Sequence, residues 1–348
     1  MSVQPKHIFI GGPNRSGTTF LQKLLVLHSE IKGGPEFDFL PNLLRIYRRM
    51  KTDFHLQRQG YYYNEEKLRV EWYHFLRGMI DRQHPPAPPK ESGVLRTLKG
   101  GVSEPAVPSD EAAQSHQLGD RGVLSKRKTQ NAEPRTRNPE PGTQNAEPKT
   151  YLSEKTPDNI YVARELLEIF PEGVFIYMYR DGRDVLNSLK KVKQRMKQDG
   201  KQPKLKISLH HEAMRWNSSQ KRYRELRKDG RFSGRHFAIQ YEALLRNPQE
   251  ELQKLMAFLG LELEPQQLKP EQFGSEQTQS VVDTVWYTEA MYRQPFETKN
   301  IGKWQQGMSW QEKLMANVLM GEELARAGYS YSTVALKMQQ LLKGAKIK

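Results

Sequence analysis

The sequence predicts a three-layer α/β sandwich, in which a central parallel sheet is covered by helices on both faces. Three observations carry that expectation. Val174 to Tyr179 is a continuous apolar run, the pattern of a strand buried on both sides of a parallel sheet. His7 to Gly11 is a second such strand, and it feeds a glycine-bounded loop that opens a segment of helical period. Strand-like and helix-like segments then alternate along the chain, as parallel crossover units require.

The elements follow in order. Gly17 to His28 reads as a helix with Leu21, Leu24, Leu25 and His28 on one face, and Glu36 to Met50 and Glu65 to Ile80 read as two more. Order resumes at Ser153. Thr156-Pro157 reads as an N-cap with proline at the first helical position, opening a helix with Ile160, Ala163, Leu167 and Phe170 inward. Asp184 to Gln198 and His211 to Lys228 are predicted helices, and Arg235 to Gln240 a further strand. Pro248 starts a helix with Leu252, Leu255, Met256 and Leu259 on one face, stopped by Gly260.

Between the third predicted helix and Ser153 the character changes. Residues 85–150 are rich in Pro, Gly, Ser, Glu and charge, and contain a tandem seven-residue repeat: Thr129 to Arg135, Thr136 to Gly142 and Thr143 to Lys149. Prolines in every unit forbid a coiled coil, and units without apolar positions have nothing to stack. The segment reads as a low-complexity, disordered insertion. It interrupts one domain, 1–84 with 151–348, because the two flanking parts complete each other.

Composition sets the outer bounds. A chain of 348 residues, 36% hydrophobic, suffices for one large α/β domain. No apolar run approaches the roughly 18–20 residues of a bilayer span. Met1 to Lys6 leads straight into a strand, so no signal or transit segment is expected. The absence of cysteine excludes disulfides and thiolate metal sites, and suits a cytoplasmic location. A formal charge of +15 fits a polyanionic partner without choosing among nucleic acid, anionic surface and nucleotide. No concentrated basic and aromatic stretch points to specific nucleic-acid binding.

The loop Gly12-Pro-Asn-Arg15-Ser16-Gly17-Thr18-Thr19 follows a strand and opens a helix. In that context backbone N–H groups converge on an anion at a helix N-terminus, which adds a P-loop-like topology to the predicted fold. An ATP-binding loop of the Walker kind places Lys directly after the second glycine, whereas Thr18 stands here and the cation is Arg15 inside the loop. Phosphoryl transfer also needs Mg²⁺ on a nearby carboxylate, and the candidate Asp181 sits among basic residues. A sulfuryl group carries less charge than a γ-phosphoryl group, so fixed cations and amides can suffice without a metal. The nine histidines, His210-His211 included, show no metal-ligand spacing.

A second anion site is predicted where Tyr179-Arg180-Asp181-Gly-Arg183-Asp184 leads to Ser188. Arg180 at the strand end and Ser188 in the helix can reach one phosphate, with fixed donors and a hydroxyl. Taken alone, this pattern also fits Arg and Asp simply tying a helix start. Coupled to the loop, it implies a ligand with two separated anionic groups.

These residues resemble the sulfotransferase superfamily, in particular the branch holding tyrosylprotein and glycan sulfotransferases and their bacterial relatives. Arg15-Ser-Gly-Thr-Thr19 resembles that family's 5′-phosphosulfate loop, and Arg180 with Ser188 its 3′-phosphate pair. Tyr241 to Pro248, leading to Phe258-Leu-Gly260, is similar to its strand-to-helix segment, whose Tyr contacts the nucleotide. Ile301-Gly302-Lys303-Trp304 is similar to its C-terminal loop over the cofactor. The resemblance implies 3′-phosphoadenosine-5′-phosphosulfate (PAPS) as sulfuryl donor, no metal, and a hydroxyl-bearing acceptor. It also implies roles for two more residues: Glu36, just beyond the first helix, as general base, and Lys155 in Glu154-Lys-Thr-Pro157 as the cation at the bridging oxygen, with Arg15 completing the charge clamp.

Plainer readings stand beside these: Glu36 as a helix cap, Asp38 as the base instead, and Lys155 as a surface lysine. The chain also departs from the tyrosylprotein branch. Val192, flanked by Lys191 and Lys193, stands where that branch has an Arg, and the cysteines and N-terminal anchor of Golgi members are absent. Acceptor class and compartment therefore stay open, with loops at 51–80 and 278–296 expected to form the acceptor pocket. A nucleotide kinase or NTPase, and a non-catalytic basic binding protein, are the alternative functions.

Overall fold

A computed structural model of the chain describes residues 6–34, 36–52, 64–83, 151–198, 200, 208–272 and 295–331. The insertion predicted at 85–150 lies outside the described residues, as do most of the predicted acceptor loops.

Five strands form one parallel sheet: β1 Lys6–Gly11, β2 Ile31–Gly33, β3 Tyr151–Lys155, β4 Val174–Tyr179 and β5 His236–Gln240. Their order is β2-β3-β1-β4-β5, with β1 in the middle. Ile8 sits beside Ser153 on one side and Val174 on the other. The helices are α1 Thr18–Val26, α2 Leu40–Thr52, α3 Glu65–Gln83, α4 Ala163–Ile169, α5 Gly182–Gln198, α6 Leu209–Arg227, α7 Tyr241–Arg246, α8 Pro248–Leu259 and α9 Trp310–Arg326.

Strand periodicity divides the core between two faces. Ile8 and Ile10 of β1 pack with Ile176 and Met178 of β4 against Leu21, Leu24 and Leu25 of α1 and the inner row of α8. Phe9, Phe175 and Tyr177 point the other way, onto Leu44 and Tyr47 of α2, Leu76 of α3, Leu166 of α4 and Tyr223 of α6. A third cluster, around Leu186, Trp216 and Met320, fixes α5, α6 and α9 to one another. This is the three-layer sandwich with the P-loop NTPase-like arrangement expected of the sequence.

The chain leaves β1 toward β2 through α1 and leaves β4 toward β5 through α5 and α6. The two departures run in opposite directions across the sheet, so a crevice opens at the carboxyl ends of β1 and β4. Both predicted anion sites lie there: the glycine loop follows β1, and Arg180 follows β4.

The structure differs locally from the sequence reading. Strands β2 and β3 are additional: β2 has three residues, too few for a period, and all five residues of β3 are buried although three are polar. The helix expected from Glu36 begins at Leu40, because Phe37 instead gives its N–H to the Glu154 carboxylate and its carbonyl to Leu40. After Thr156 the chain makes a tight 3₁₀ segment, Pro157–Val162, before α4. The Thr156 hydroxyl donates to Glu154 at 2.7 Å rather than capping the helix. The start of α9 carries a capping box, Ser309 with Glu312, a signal readable in the sequence.

Candidate active site

The glycine loop is shaped by what packs behind it. A Cβ on Gly12 would lie 2.0 Å from the Met178 carbonyl oxygen, and one on Gly17 (φ 101°) 2.6 Å from the Tyr241 ring. Both glycines thus let β4 and α7 press against the loop. Ser16 locks it from inside, its hydroxyl donating to Met178 O at 3.0 Å. Thr18 is buried in the first turn of α1. Arg15 takes a left-handed conformation (φ 67°), and its Nε donates to Ser188 Oγ at 3.2 Å. That bond joins the two predicted anion sites.

Arg180 closes the far side. Its guanidinium lies 4.5 Å from the centre of the Tyr241 ring, donates to Asn300 O at 2.5 Å and sits 3.6 Å from Asp184. Asp184 in turn accepts the N–H groups of Gly302 (2.7 Å) and Trp304 (2.8 Å). Burial holds its carboxyl above the ordinary range, against the opposing pull of Arg180. The C-terminal loop is therefore pinned to the start of α5. Trp304 stacks 4.0 Å from the Arg183 guanidinium, which also forks onto Asp181 at 2.7 and 3.0 Å. Asp181 is committed to that ion pair, an arrangement unlike a metal-binding carboxylate. Trp304 and Gly302 brace the loop, and Lys303 is the member of the triplet that lines the cleft.

The cleft so formed has a volume of about 190 Å³. Seven of the predicted residues line it: Arg15, Gly17, Thr19, Arg180, Ser188, Tyr241 and Lys303. Burial, with Lys191, Lys299 and Arg180 nearby, pushes the Lys303 amine below its usual value, as expected where cations are gathered to receive an anion. Lys191 also lines the cleft, whereas Val192 is buried in the core. The cation that the resemblance places at 192 stands one residue earlier. Sequence reasoning missed Phe20, Lys23, Asn187, Leu245 and Asn300 on these walls, and it placed Pro295 with the acceptor loop. The usable signal was the four-residue spacing of Lys23 from Thr19.

At the cleft edge a second group assembles around Thr19. Lys155, 1% exposed, donates to Thr19 Oγ1 at 3.0 Å and forms an ion pair with Glu36. It is not a surface lysine. The Glu36 side chain remains 25% exposed, open to an incoming group, while Asp38 points to solvent. Glu154 lies behind the pair, wholly buried. It accepts from Thr156, Asn159 and the Phe37 N–H, and thereby ties the Glu36 loop to β3. Among the described residues no cluster of three or more His, Cys, Asp or Glu side chains has metal-binding geometry.

A family model, the sulfotransferase family, matches residues 5–265. The chain belongs to that family. Among curated relatives, the protein-tyrosine sulfotransferase of Drosophila melanogaster is 22% identical over 302 residues, covering 85% of this chain and 46% of the relative. Protein-tyrosine sulfotransferase 2 of Gallus gallus is 23% identical over 256 residues, covering 73% and 51%. The chain spans about half the length of the curated relatives it matches. Among solved structures, the sulfotransferase domain from the curacin biosynthetic pathway superposes with a TM-score of 0.52 at 16% identity, covering 95% of this chain and 100% of that domain. The family's fold and the observed sandwich thus agree.

In this family member Glu154 has a consequence for stability. Burial pushes its carboxyl up to about 7, with the hydrogen bonds from Thr156 and Asn159 pulling the other way. A carboxyl raised on folding holds its proton longer in the native state, so its contribution declines as pH rises from the unfolded value near 4.5 through about 7. Glu154→Gln removes that titration. The melting temperature of the variant relative to wild type should therefore shift in the variant's favour between pH 5 and pH 8. A constant difference across that range, read by calorimetry, would show that Glu154 does not titrate there.

Proposed function

We propose that this chain transfers the sulfuryl group of PAPS to a hydroxyl group of an acceptor. The observation that carries the proposal is the Arg15–Ser188 bond. It unites the glycine loop with the Arg180–Ser188 pair in one cleft, whose edge holds Thr19, Lys155 and Glu36. A donor with two anionic groups fits that spacing of cations. The loop amides and Arg15 would hold the 5′-phosphosulfate, and Arg180, Ser188, Lys191 and Lys303 the 3′-phosphate. Tyr241 would contact the nucleotide.

Glu36 would accept the acceptor's proton as the new O–S bond forms. Lys155 would stabilise the phosphate oxygen left as the old S–O bond breaks. In the free protein these two side chains pair with each other, so an acceptor hydroxyl enters by displacing that contact. A kinase reading is disfavoured by Thr18 in place of the Walker lysine and by the engagement of Asp181 with Arg183. A non-catalytic binding role leaves the Glu36–Lys155 pair unexplained.

We further propose that residues 85–150 interrupt a single domain, supported by the pairing of β1 before them with β3 after them. The two curated relatives described above are named for protein tyrosine, so tyrosyl peptides head the acceptor screen, with glycans and small alcohols beside them. No helix among the described residues is long and apolar enough to cross a membrane. We place the protein in the cytoplasm, in keeping with a chain that has no cysteine to oxidise.

Calorimetric titration tests the donor assignment. The product, 3′,5′-adenosine bisphosphate, should bind without Mg²⁺ and ATP poorly. Arg180→Ala should weaken the bisphosphate by about 2–3 kcal/mol, the scale of a lost charged hydrogen bond. Adenosine 5′-phosphosulfate, which lacks the 3′-phosphate, should be nearly indifferent to the change. Equal losses for both ligands would remove Arg180 from the 3′-phosphate.

A further inference from the structure

Arg180 stands where the sheet stops holding the chain. The last rung between β4 and β5 pairs Tyr179 with Gln240. The next residues, Arg180 and Tyr241, lie side by side on the cleft wall, the guanidinium 4.5 Å from the ring centre. Beyond them the two segments part, one into α5 and the other into α7, and no further ladder bond fixes their spacing. Tyr241 has a seat of its own, since its ring packs down on Gly17. The Arg180 side chain is held more loosely: its Nε is buried and makes no hydrogen bond among the described residues. Its aim therefore depends on its backbone.

Two side chains hold that backbone. Trp216 Nε1 donates to the Arg180 carbonyl at 3.0 Å. Glu242, the residue after Tyr241, accepts the next N–H of the chain, that of Asp181, at 2.9 Å. This bond takes the place of the missing rung, because it joins the same two segments just beyond the end of the ladder. The other Glu242 oxygen accepts the Tyr329 hydroxyl, also at 2.9 Å. Tyr329 lies just past α9, where its N–H donates to Leu324 O at 2.9 Å and its ring meets that of Tyr179 edge-on at 6.5 Å. Glu242 and Asp181 are both buried, so water does not readily replace either partner.

We propose that Glu242 is a positioning residue for the donor site, holding Arg180 at the 3′-phosphate through the Asp181 N–H, with Tyr329 locking the carboxylate in place. The inference rests on the reading of the cleft as a PAPS site. Arg180 works as a rigid fork that must match the phosphate oxygens, and a shift of about 1 Å at its backbone carries the guanidinium out of line. A carboxylate with both oxygens engaged cannot turn away from the Asp181 N–H. The segment that ends α9 thereby sets the place of a donor-binding side chain it does not touch.

The test asks whether Glu242 acts through Arg180. Wild type, Glu242→Ala, Glu242→Gln and Tyr329→Phe are titrated with 3′,5′-adenosine bisphosphate and with adenosine 5′-phosphosulfate, which has no 3′-phosphate. Glu242→Ala should bind the bisphosphate about tenfold more weakly and the phosphosulfate within about twofold of wild type. Glu242→Gln should recover most of the loss, because its amide oxygen accepts the Asp181 N–H and its NH₂ group donates to Tyr329. Tyr329→Phe keeps the Asp181 bond and removes only the lock, so it should weaken the bisphosphate about threefold, and it carries the test if the alanine variant does not fold. In an Arg180→Ala background neither Glu242→Ala nor Tyr329→Phe should cost anything further. Equal losses for both ligands would make Glu242 a support of the whole cleft and overturn the proposal. Unchanged bisphosphate affinity would overturn it as well, and so would a loss that persists in full without Arg180. Failure of wild type to bind the bisphosphate would instead overturn the donor reading, and this inference with it.

Discussion

Glu36→Gln should lower turnover by roughly 10²–10⁴-fold, the contribution of a positioned general base, and leave affinity for 3′,5′-adenosine bisphosphate near wild type. The split follows from where Glu36 sits. Its carboxylate pairs with Lys155 at the edge of the cleft and is not among the side chains that line it. The amide keeps the shape of the carboxylate and can still accept a hydrogen bond from Lys155, but it cannot take a proton from the acceptor.

The simpler role for Glu36, a helix cap, is answered by the fold. Helix α2 starts at Leu40, and its first turn is closed by the Phe37 carbonyl, so Glu36 lies outside the capping positions. Losing a cap would in any case cost about 1 kcal/mol of stability and spare turnover. Asp38→Asn provides the control. Asp38 is exposed, and its neutralisation should leave the rate intact. A dead Asp38→Asn enzyme beside an active Glu36→Gln enzyme would move the base to Asp38. Full activity in both would send the search to another part of the chain.

The parts of this site that the sequence made legible are those encoded locally. The glycine loop announces itself because its two glycines answer a specific steric demand, the Met178 carbonyl and the Tyr241 ring pressing from behind. Strand β4 is legible because both its faces are buried, which leaves no room for polar alternation. Strand β3 was hidden for the opposite reason. Ser153, Glu154 and Lys155 have the composition of a surface, yet all three are buried. Each is satisfied by the chain around it: Ser153 donates to Lys32 O at 3.1 Å, and Lys155 to Thr19. No window of sequence contains those partners. Lys23 was hidden likewise, since a lysine off the leucine face of α1 reads as solvated until the cleft wall is known. Gly302 and Trp304 were recognised as part of a closing loop. That they act by bracing against Asp184 and Arg183 follows only from the fold.

Lys155→Met should reduce turnover by about 10²–10³-fold, the scale of losing one preorganised charge at a developing oxyanion. Its effect on the binding of 3′,5′-adenosine bisphosphate should be much smaller. The bridging oxygen gains most of its charge only as the S–O bond breaks, so a cation placed there acts on the transition state more than on the bound ground state. Methionine fills a site that is 1% exposed with a side chain of similar length, and it removes the charge without opening a cavity. Glu36 loses that ion pair but, at 25% exposure, can be solvated, so the fold should tolerate the change. Arginine should not rescue the variant, because a planar fork cannot stand in for a compact ammonium between Thr19 and Glu36. The two residues touch, and their losses should not add: the Glu36→Gln, Lys155→Met double variant should be less impaired than the product of the single effects. If Lys155→Met instead weakened the bisphosphate in proportion to its loss of kcat/KM and left kcat unchanged, Lys155 would be a ground-state phosphate contact. The assignment of this corner of the cleft to sulfuryl transfer would then fail.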